Sequence, residues 1–304
     1  MVKKKRALFL FSGGLDSILA AKILLEQGIE VTGLVFKSYF FDDTNAKKAT
    51  RKLGISLKIV DFSDEHLQLV KNPPRGYGKA ANPCVDCHLL MLKHAHKILK
   101  EKGCDFVATG EVLGERPFSQ NKKAMALIAQ ESSLSNLLLR PLSAKILPPT
   151  LPEKKGWIDR EKLRGIQGRS RKKQIALAKK HDLQYPQPAG GCLLCEPEFG
   201  KKLFKLFKKW PDCTGKDVEL LKIGRHFWDK KTKIVLGRNQ HENEKLETFA
   251  QKNDVLIKPQ NFLGPLALLQ GNKITQKNIK KAKNLITKYS KKVISPSIFS
   301  TTKV

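Results

Sequence analysis

Short apolar runs at residues 7–11, 30–36, 56–60 and 105–109 punctuate the first half of the chain. Between them, at 15–27, 45–53, 85–102 and 119–131, apolar residues recur with helical spacing. Short runs rich in β-branched and aromatic residues predict strands, and the spaced pattern predicts amphipathic helices. The runs are nearly continuous rather than alternating, as expected of strands covered on both faces. The alternation therefore predicts an α/β fold with a Rossmann-like parallel sheet wound on both sides by helices. Ligands in such sheets lie beyond the carboxyl ends of the strands. Residues 12–17 and 108–111 fall there.

The pattern then changes. Residues 141–157, rich in Pro, Lys and Gly, read as an irregular connector, and 159–181 as a helix carrying the basic run Arg169-Ser170-Arg171-Lys172-Lys173. Tyr185-Pro186-Gln187-Pro188-Ala189-Gly190-Gly191 breaks that helix and delivers Cys192 on a loop, before a short basic helix at 197–209. From about 215, strands at 223–228, 232–237, 254–258 and 265–269 flank a helix at 239–251, and a lysine-rich helix fills 276–291. The expected organisation is a first domain over 1–214 and a second, smaller α+β domain over 215–304. There is no internal repeat.

Charge adds a partner to this picture. The chain has 58 Lys+Arg against 28 Asp+Glu, a formal net charge of +30. Such an excess points to a polyanion, RNA or DNA being the usual one, and the helix with Lys277, Lys280, Lys281, Lys283 and Lys288 is a candidate contact. Aromatic residues make up 7% of the chain, too few for base stacking to be the main binding mode. No apolar run approaches the ~20 residues of a membrane span. The basic and apolar start, Met1 to Phe11, is too short in its apolar part for a signal peptide and reads as the first strand of a cytoplasmic protein.

Ser12-Gly13-Gly14-Leu15-Asp16-Ser17 lies between the first strand and the first helix. Paired glycines let backbone approach an anion closely, and the helix behind offers unpaired N–H groups and a positive dipole end. Ser12 and Ser17 can donate hydroxyls, and Asp16 can help hold a cation such as Mg2+. The Gly-Lys-Ser/Thr ending of a Walker A loop is missing.

Six cysteines occur, four of them as Cys84-Val85-Asp86-Cys87 and Cys192-Leu193-Leu194-Cys195. Without a secretion signal this pairing favours metal or thiol chemistry over structural disulfides. The first pair follows Asn82-Pro83 and opens a helix, where the dipole favours thiolate. The two pairs could close a tetrahedral zinc site. Three cysteines could instead hold a [4Fe-4S] cluster with one iron open to a substrate atom. A persulfide-carrying thiol with a resolving partner is the third option. Cys104 and Cys213 read as structural. His88, His94 and His96 lie on the same helix as Cys87 and read as solvated or core residues, His88 also as a neighbour that could orient a thiol.

The Ser-Gly-Gly-Leu-Asp-Ser loop resembles that of the PP-loop ATP pyrophosphatases. The loop, the Asn-Pro-Cys-x-x-Cys helix start, residues 108–120 and Arg140-Pro141-Leu142-Ser143-Ala144-Lys145 follow one another in the order of the tRNA thiolation branch. Residues 108–120 are similar to an element of 4-thiouridine synthase, and the cysteine segment to tRNA 2-thiouridylase. Residues 233–239, 243–246 and Gly264-Pro265 resemble the NFACT-type RNA-binding domain.

The resemblance implies a HUP-type PP-loop domain. Its ATP and magnesium would be held by Ser12, Gly13, Gly14, Asp16 and Ser17, with Thr109 and Gly110 lining the nucleotide pocket. Cys87 and Cys192 match the two thiolase cysteines, and Cys84 completes a three-cysteine set for a cluster, with Cys195 spare or a fourth ligand of zinc. The implied reaction is adenylation of a uracil carbonyl in tRNA, with Lys145 and Arg116 steadying phosphate charge, followed by sulfur transfer from a cysteine desulfurase or free sulfide. Glu111 and Asp86 are proton-carrier candidates or plain capping carboxylates. The chain lacks the central and β-barrel domains of 2-thiouridylases and the N-terminal tRNA-binding region of 4-thiouridine synthase. Two other readings stand beside it. One is an amidating or nitrile-forming enzyme on a small molecule with structural zinc; the other is an RNA-binding quality-control factor with a vestigial loop.

Overall fold

The structure, a computed structural model, describes residues 4–187 and 191–304. The first unit, Met1–Glu196, is built on a five-stranded sheet in the order β3-β2-β1-β4-β5. Its strands are β1 (Arg6–Leu10), β2 (Glu30–Lys37), β3 (Ser56–Asp61), β4 (Phe106–Thr109) and β5 (Leu138–Leu139), all pairing in parallel. The helices are α1 (Leu15–Glu26), α2 (Thr44–Leu53), α3 (Ser63–Lys71), α4 (Cys84–Glu101), α5 (Lys122–Glu131), α6 (Leu151–Lys154) and α7 (Lys172–Lys180).

The pleat sends Ala7 and Phe9 into a core shared with α1 and α7, and Leu8 into a second core shared with α4 and α5. Two apolar layers, one per face, are the reason the strands read as unbroken apolar runs. The sheet order reverses at β1, so β1 and β4 splay their carboxyl ends at the switch point where such folds bind ligands.

The second unit, Pro197–Val304, carries α8 (Pro197–Lys209), α9 (Gly215–Leu221), β6 (Arg225–Asp229), β7 (Thr232–Leu236), α10 (Gln240–Phe249), β8 (Val255–Pro259), β9 (Ala267–Gln270), α11 (Gln276–Lys288) and β10 (Phe299–Lys303). Its sheet is antiparallel, in the order β10-β8-β9-β7-β6. Ile234 and Leu236 of β7 pack with Ala282 and Ile286 of α11, whereas Val235 packs with Leu220 and Leu246 on the other face.

The compact units divide between Glu196 and Pro197, upstream of the 214/215 boundary that composition suggests, because α8 packs against α9. The helix expected over 159–181 is shorter: a 3-10 turn at Arg160–Lys162 and irregular chain precede α7. Arg169 to Arg171 thus lie before the helix, with Arg171 as its N-terminal cap residue. The sequence pattern also misses α3, α9, β5 and β10, which are short or strongly polar. Residues 188–190 of the expected Pro-Gly break lie outside the described residues.

Candidate active site

Residues 12–17 form the turn from β1 into α1. Gly13 has φ +73°, and a Cβ there would meet the Asn45 backbone at 2.3 Å, so α2 allows only glycine. A Cβ on Gly110, just beyond β4, would sit 2.7 Å from the Ser17 backbone. These two glycines let β1, α1 and β4 converge. Gly14 caps α1 without a side-chain hydrogen bond, which leaves the first helical N–H groups available to an anion. Ser17 Oγ donates to Gly14 O at 2.9 Å and lies 3.2 Å from Ser12 Oγ.

Asp16 Oδ1 is buried and accepts no hydrogen bond among the described residues. Burial, helped by the nearby Glu115 carboxylate, pushes the Asp16 acid up to about 6. Arg171 opposes this: it lies 3.6 Å from Asp16 Oδ2 and donates to Glu115 Oε1 at 2.5 Å. Gln174, fully buried on α7, donates to Glu115 Oε2 at 3.3 Å. Glu115, Arg171 and Gln174 are site residues that sequence reasoning missed. The basic run around Arg171 was visible, but its proximity to Asp16 is purely tertiary.

The Thr109 hydroxyl donates to Glu111 Oε2 at 3.1 Å. Glu111 also accepts from Arg140 Nε at 2.9 Å and bonds His88 Nδ1 at 2.9 Å. Burial opposes ionisation here, but the Arg140 guanidinium and His88 hold the carboxyl well below the usual range. Asp86 is likewise buried and accepts from Arg75 Nη1 at 2.6 Å and from the Arg75 backbone at 2.9 Å. Both carboxylates are therefore ion-paired struts rather than solvated caps. Lys145 pairs with Glu161 at 2.8 Å.

The two cysteine pairs come together. The backbone of residues 192–195 is tied down by Leu193 N donating to Phe40 O at 3.0 Å and by Leu194 O accepting from Ala81 N at 3.2 Å. Asn82 bridges the pairs: its side-chain oxygen accepts from Cys84 Sγ, and its Nδ2 donates to Cys195 Sγ at 2.9 Å. Cys87 faces the apolar core on α4, and burial pushes its thiol well above the ordinary range despite its place near a helix start. Burial also raises Cys84. Cys192 and Cys195 share a hydrogen bond that holds the proton on Cys192 and pulls Cys195 below the usual thiol range, with Arg116 and Asn82 assisting. Cys195, spare on the sequence reading, is the most acidic of the four thiols.

Among the described residues, no three His, Cys, Asp or Glu side chains gather as ligands for one metal ion. Cys84 donates to Asn82, Cys192 shares a hydrogen bond with Cys195 and Cys87 lies against the apolar core, so the three thiols do not form a ligand shell for zinc or a cluster as they stand. Asp16 Oδ1, without a partner among the described residues, is an oxygen donor of the kind a divalent cation takes. The Arg116 charge only slightly opposes the rise that burial imposes on Asp16 and Cys84, and it helps to hold Cys195 down. No helix among the described residues is long and apolar enough to cross a membrane.

Comparison with known proteins agrees with this division. Residues 2–145 match the family model of the thiamine biosynthesis protein ThiI, and residues 224–298 that of the NFACT protein RNA binding domain. The tRNA-specific 2-thiouridylase MnmA of Karelsulcia muelleri is 27% identical over 80% of this chain and 64% of its own length. That of Sulfurimonas denitrificans is 37% identical over 36% of this chain and 35% of its own. A probable tRNA sulfurtransferase of Thermococcus kodakarensis is 32% identical over 44% of this chain and 35% of its own. The chain thus spans less than two thirds of the length of each of these relatives. Residues 2–145 are similar to the ThiI family model and residues 224–298 to that of the NFACT RNA binding domain.

Proposed function

We propose that the chain is an ATP-dependent tRNA sulfurtransferase that adenylates a uridine carbonyl and replaces its oxygen with sulfur. The observation that carries this reading is the pairing of two features in one unit: the uncapped start of α1 beside the unpartnered Asp16 Oδ1, and two distant cysteine pairs drawn together through Asn82. An anion cradle and a cluster of thiols are what an activation step followed by a sulfur transfer needs.

In this reading Ser12, Gly13, Gly14 and Ser17 cradle the ATP phosphates and Asp16 orients the Mg2+ that accompanies them. A uracil oxygen is a poor leaving group; once it has attacked the α-phosphate and displaced pyrophosphate, it departs as AMP. Loop N–H groups and Arg116 stabilise the phosphate charge as it develops. Sulfur arrives already oxidised: the persulfide of a cysteine desulfurase passes its outer sulfur to one cysteine of the 192–195 loop, and the desulfurase thiolate leaves. That outer sulfur attacks the activated carbon as AMP departs, a second cysteine then attacks the carrier's inner sulfur to free the thiouridine, and the cysteine disulfide left behind is reduced by an external thiol. Cys87 and Cys192 remain the pair suggested by family resemblance. The deprotonation of Cys195 supports adding it as a sulfur carrier. The lysine face of α11 would hold the RNA backbone.

The test has two parts. Purified protein with ATP, a cysteine desulfurase with cysteine, a thiol reductant and unmodified tRNA should release pyrophosphate and yield a thionucleoside by mass spectrometry, and a chain that releases pyrophosphate only with a small-molecule acceptor would overturn the tRNA reading. Anaerobic purification should give a colourless protein that accepts a persulfide. A brown, iron-loaded protein would replace the persulfide route with the cluster route through Cys84, Cys87 and Cys192.

A further inference from the structure

Arg171 lies outside both segments matched to known families, yet it touches the phosphate loop. Its Nε and Nη2 both reach Glu115 Oε1, at 3.0 and 2.5 Å, so Glu115 anchors one edge of the guanidinium. Its contact with Asp16, 3.6 Å from Nη2, is an ion pair without a short hydrogen bond. The segment leading to it is fixed: Gly168 N donates to Leu113 O at 2.7 Å, and Leu113 pairs with Gln167. Gln174, in the first turn of α7, is fully buried, donates to the other oxygen of Glu115, and has no partner for its own Oε1 among the described residues. Arg171 itself stays 28% exposed.

These contacts define a charge balance. Asp16 and Glu115 both lie against Arg171, at 3.6 and 2.5 Å from its Nη2, and among the described residues it is the only cation in contact with both. Nucleotide phosphates on residues 12–17 would add more negative charge at the same point. A divalent cation seeks the free Asp16 Oδ1, while a guanidinium suits phosphate oxygens through its planar fork.

Resting on the reading of residues 12–17 as the ATP site, we propose that Arg171 is a nucleotide-binding residue that competes with the divalent cation for Asp16 and, held by Glu115, donates its free edge to the nucleotide phosphates. The competition makes the arginine and the metal opposed in the absence of nucleotide and cooperative in its presence.

Two binding measurements on the full chain test this. Mn2+ alone is followed by electron paramagnetic resonance, and Mg2+ with α,β-methylene-ATP by calorimetry. Arg171→Gln should bind Mn2+ alone more tightly, by about threefold to tenfold, and bind the magnesium nucleotide about tenfold to a hundredfold more weakly, as loss of a charge-assisted hydrogen bond implies. Arg171→Lys keeps the charge and the fold but not the fork; it should leave Mn2+ binding as in the wild type and lose part of the nucleotide affinity. A merely structural arginine would weaken both ligands together, and that result, or no change in either, overturns the proposal. Wild-type protein that takes up no nucleotide would instead overturn the reading of residues 12–17.

Discussion

Glu111, a buried carboxyl group, and Asp16, a half-buried one with a buried Oδ1, lie beyond the ends of neighbouring strands and behave oppositely. Glu111 has partners on every side, in Arg140, His88 and Thr109, and its acid is held well below the usual range once these outweigh burial. Asp16 has a buried oxygen with no hydrogen bond among the described residues, and burial together with Glu115 raises its acid to about 6. A buried polar network that is fully satisfied fixes a scaffold; one left incomplete marks where a ligand finishes it. Arg140 stiffens the end of β4 through Glu111, so the unsatisfied group at Asp16 sits on a rigid frame.

The contrast breaks most visibly at Glu111. Glu111→Ala strands the buried Arg140 and should cost about 3–5 kcal/mol in denaturant unfolding, the usual penalty for an uncompensated buried charge. Asp16→Asn should cost no stability, or add some, while pyrophosphate release falls about a hundredfold or more. A loss of stability in Asp16→Asn comparable to that of Glu111→Ala would erase the distinction.

A third buried charge extends the comparison to the second unit. Lys233 is fully buried, its Nζ has no hydrogen bond among the described residues, and burial pulls its amine down to about 8. The unfolded chain, with an ordinary lysine near 10.4, binds more protons than the folded one across that window. Stability of this unit should therefore rise as pH climbs from about 8 to about 10.5. Lys233→Met should flatten that rise and stabilise the protein at pH 7 by about 1–3 kcal/mol, read from unfolding curves at several pH values.

The smallest effect concerns the thiols. Brief alkylation with iodoacetamide should mark Cys195 first and spare Cys87, with a rate that titrates below the ordinary thiol range of ~8.5. Peptide mass mapping checks this, and faster labelling of Cys87 would reverse the assignment of the reactive thiol. Since Cys192 and Cys195 share a proton, the titration belongs to the pair.

Much of this was legible from the chain alone. The alternation of apolar runs and helical spacing fixed β1 to β4 together with α1, α2 and α4, because two-sided burial leaves a continuous apolar signature, whereas the short, polar α3 between β3 and β4 left none. β5 and β10 were not legible: a two-residue strand has no period, and Phe299–Lys303 is mostly polar and exposed at a sheet edge. The helix expected over 159–181 failed for a related reason, since most of its length is pinned by tertiary hydrogen bonds such as Ile166 N to Leu142 O rather than by helical ones.

The same division runs through the site. By itself the sequence determined the Ser-Gly-Gly-Leu-Asp-Ser turn, since the left-handed backbone at residue 13 and an uncapped helix start are local chemistry, while the close approach of Asn45 to Gly13 is tertiary. It also determined which residues were thiols, and the charge of α11. Only the tertiary structure decided that Asn82 links the cysteine pairs, that Cys195 rather than Cys87 loses its proton readily, and that Arg171 faces Asp16. Acidity and pairing depend on burial and on charges brought from distant positions, and no local pattern carries either.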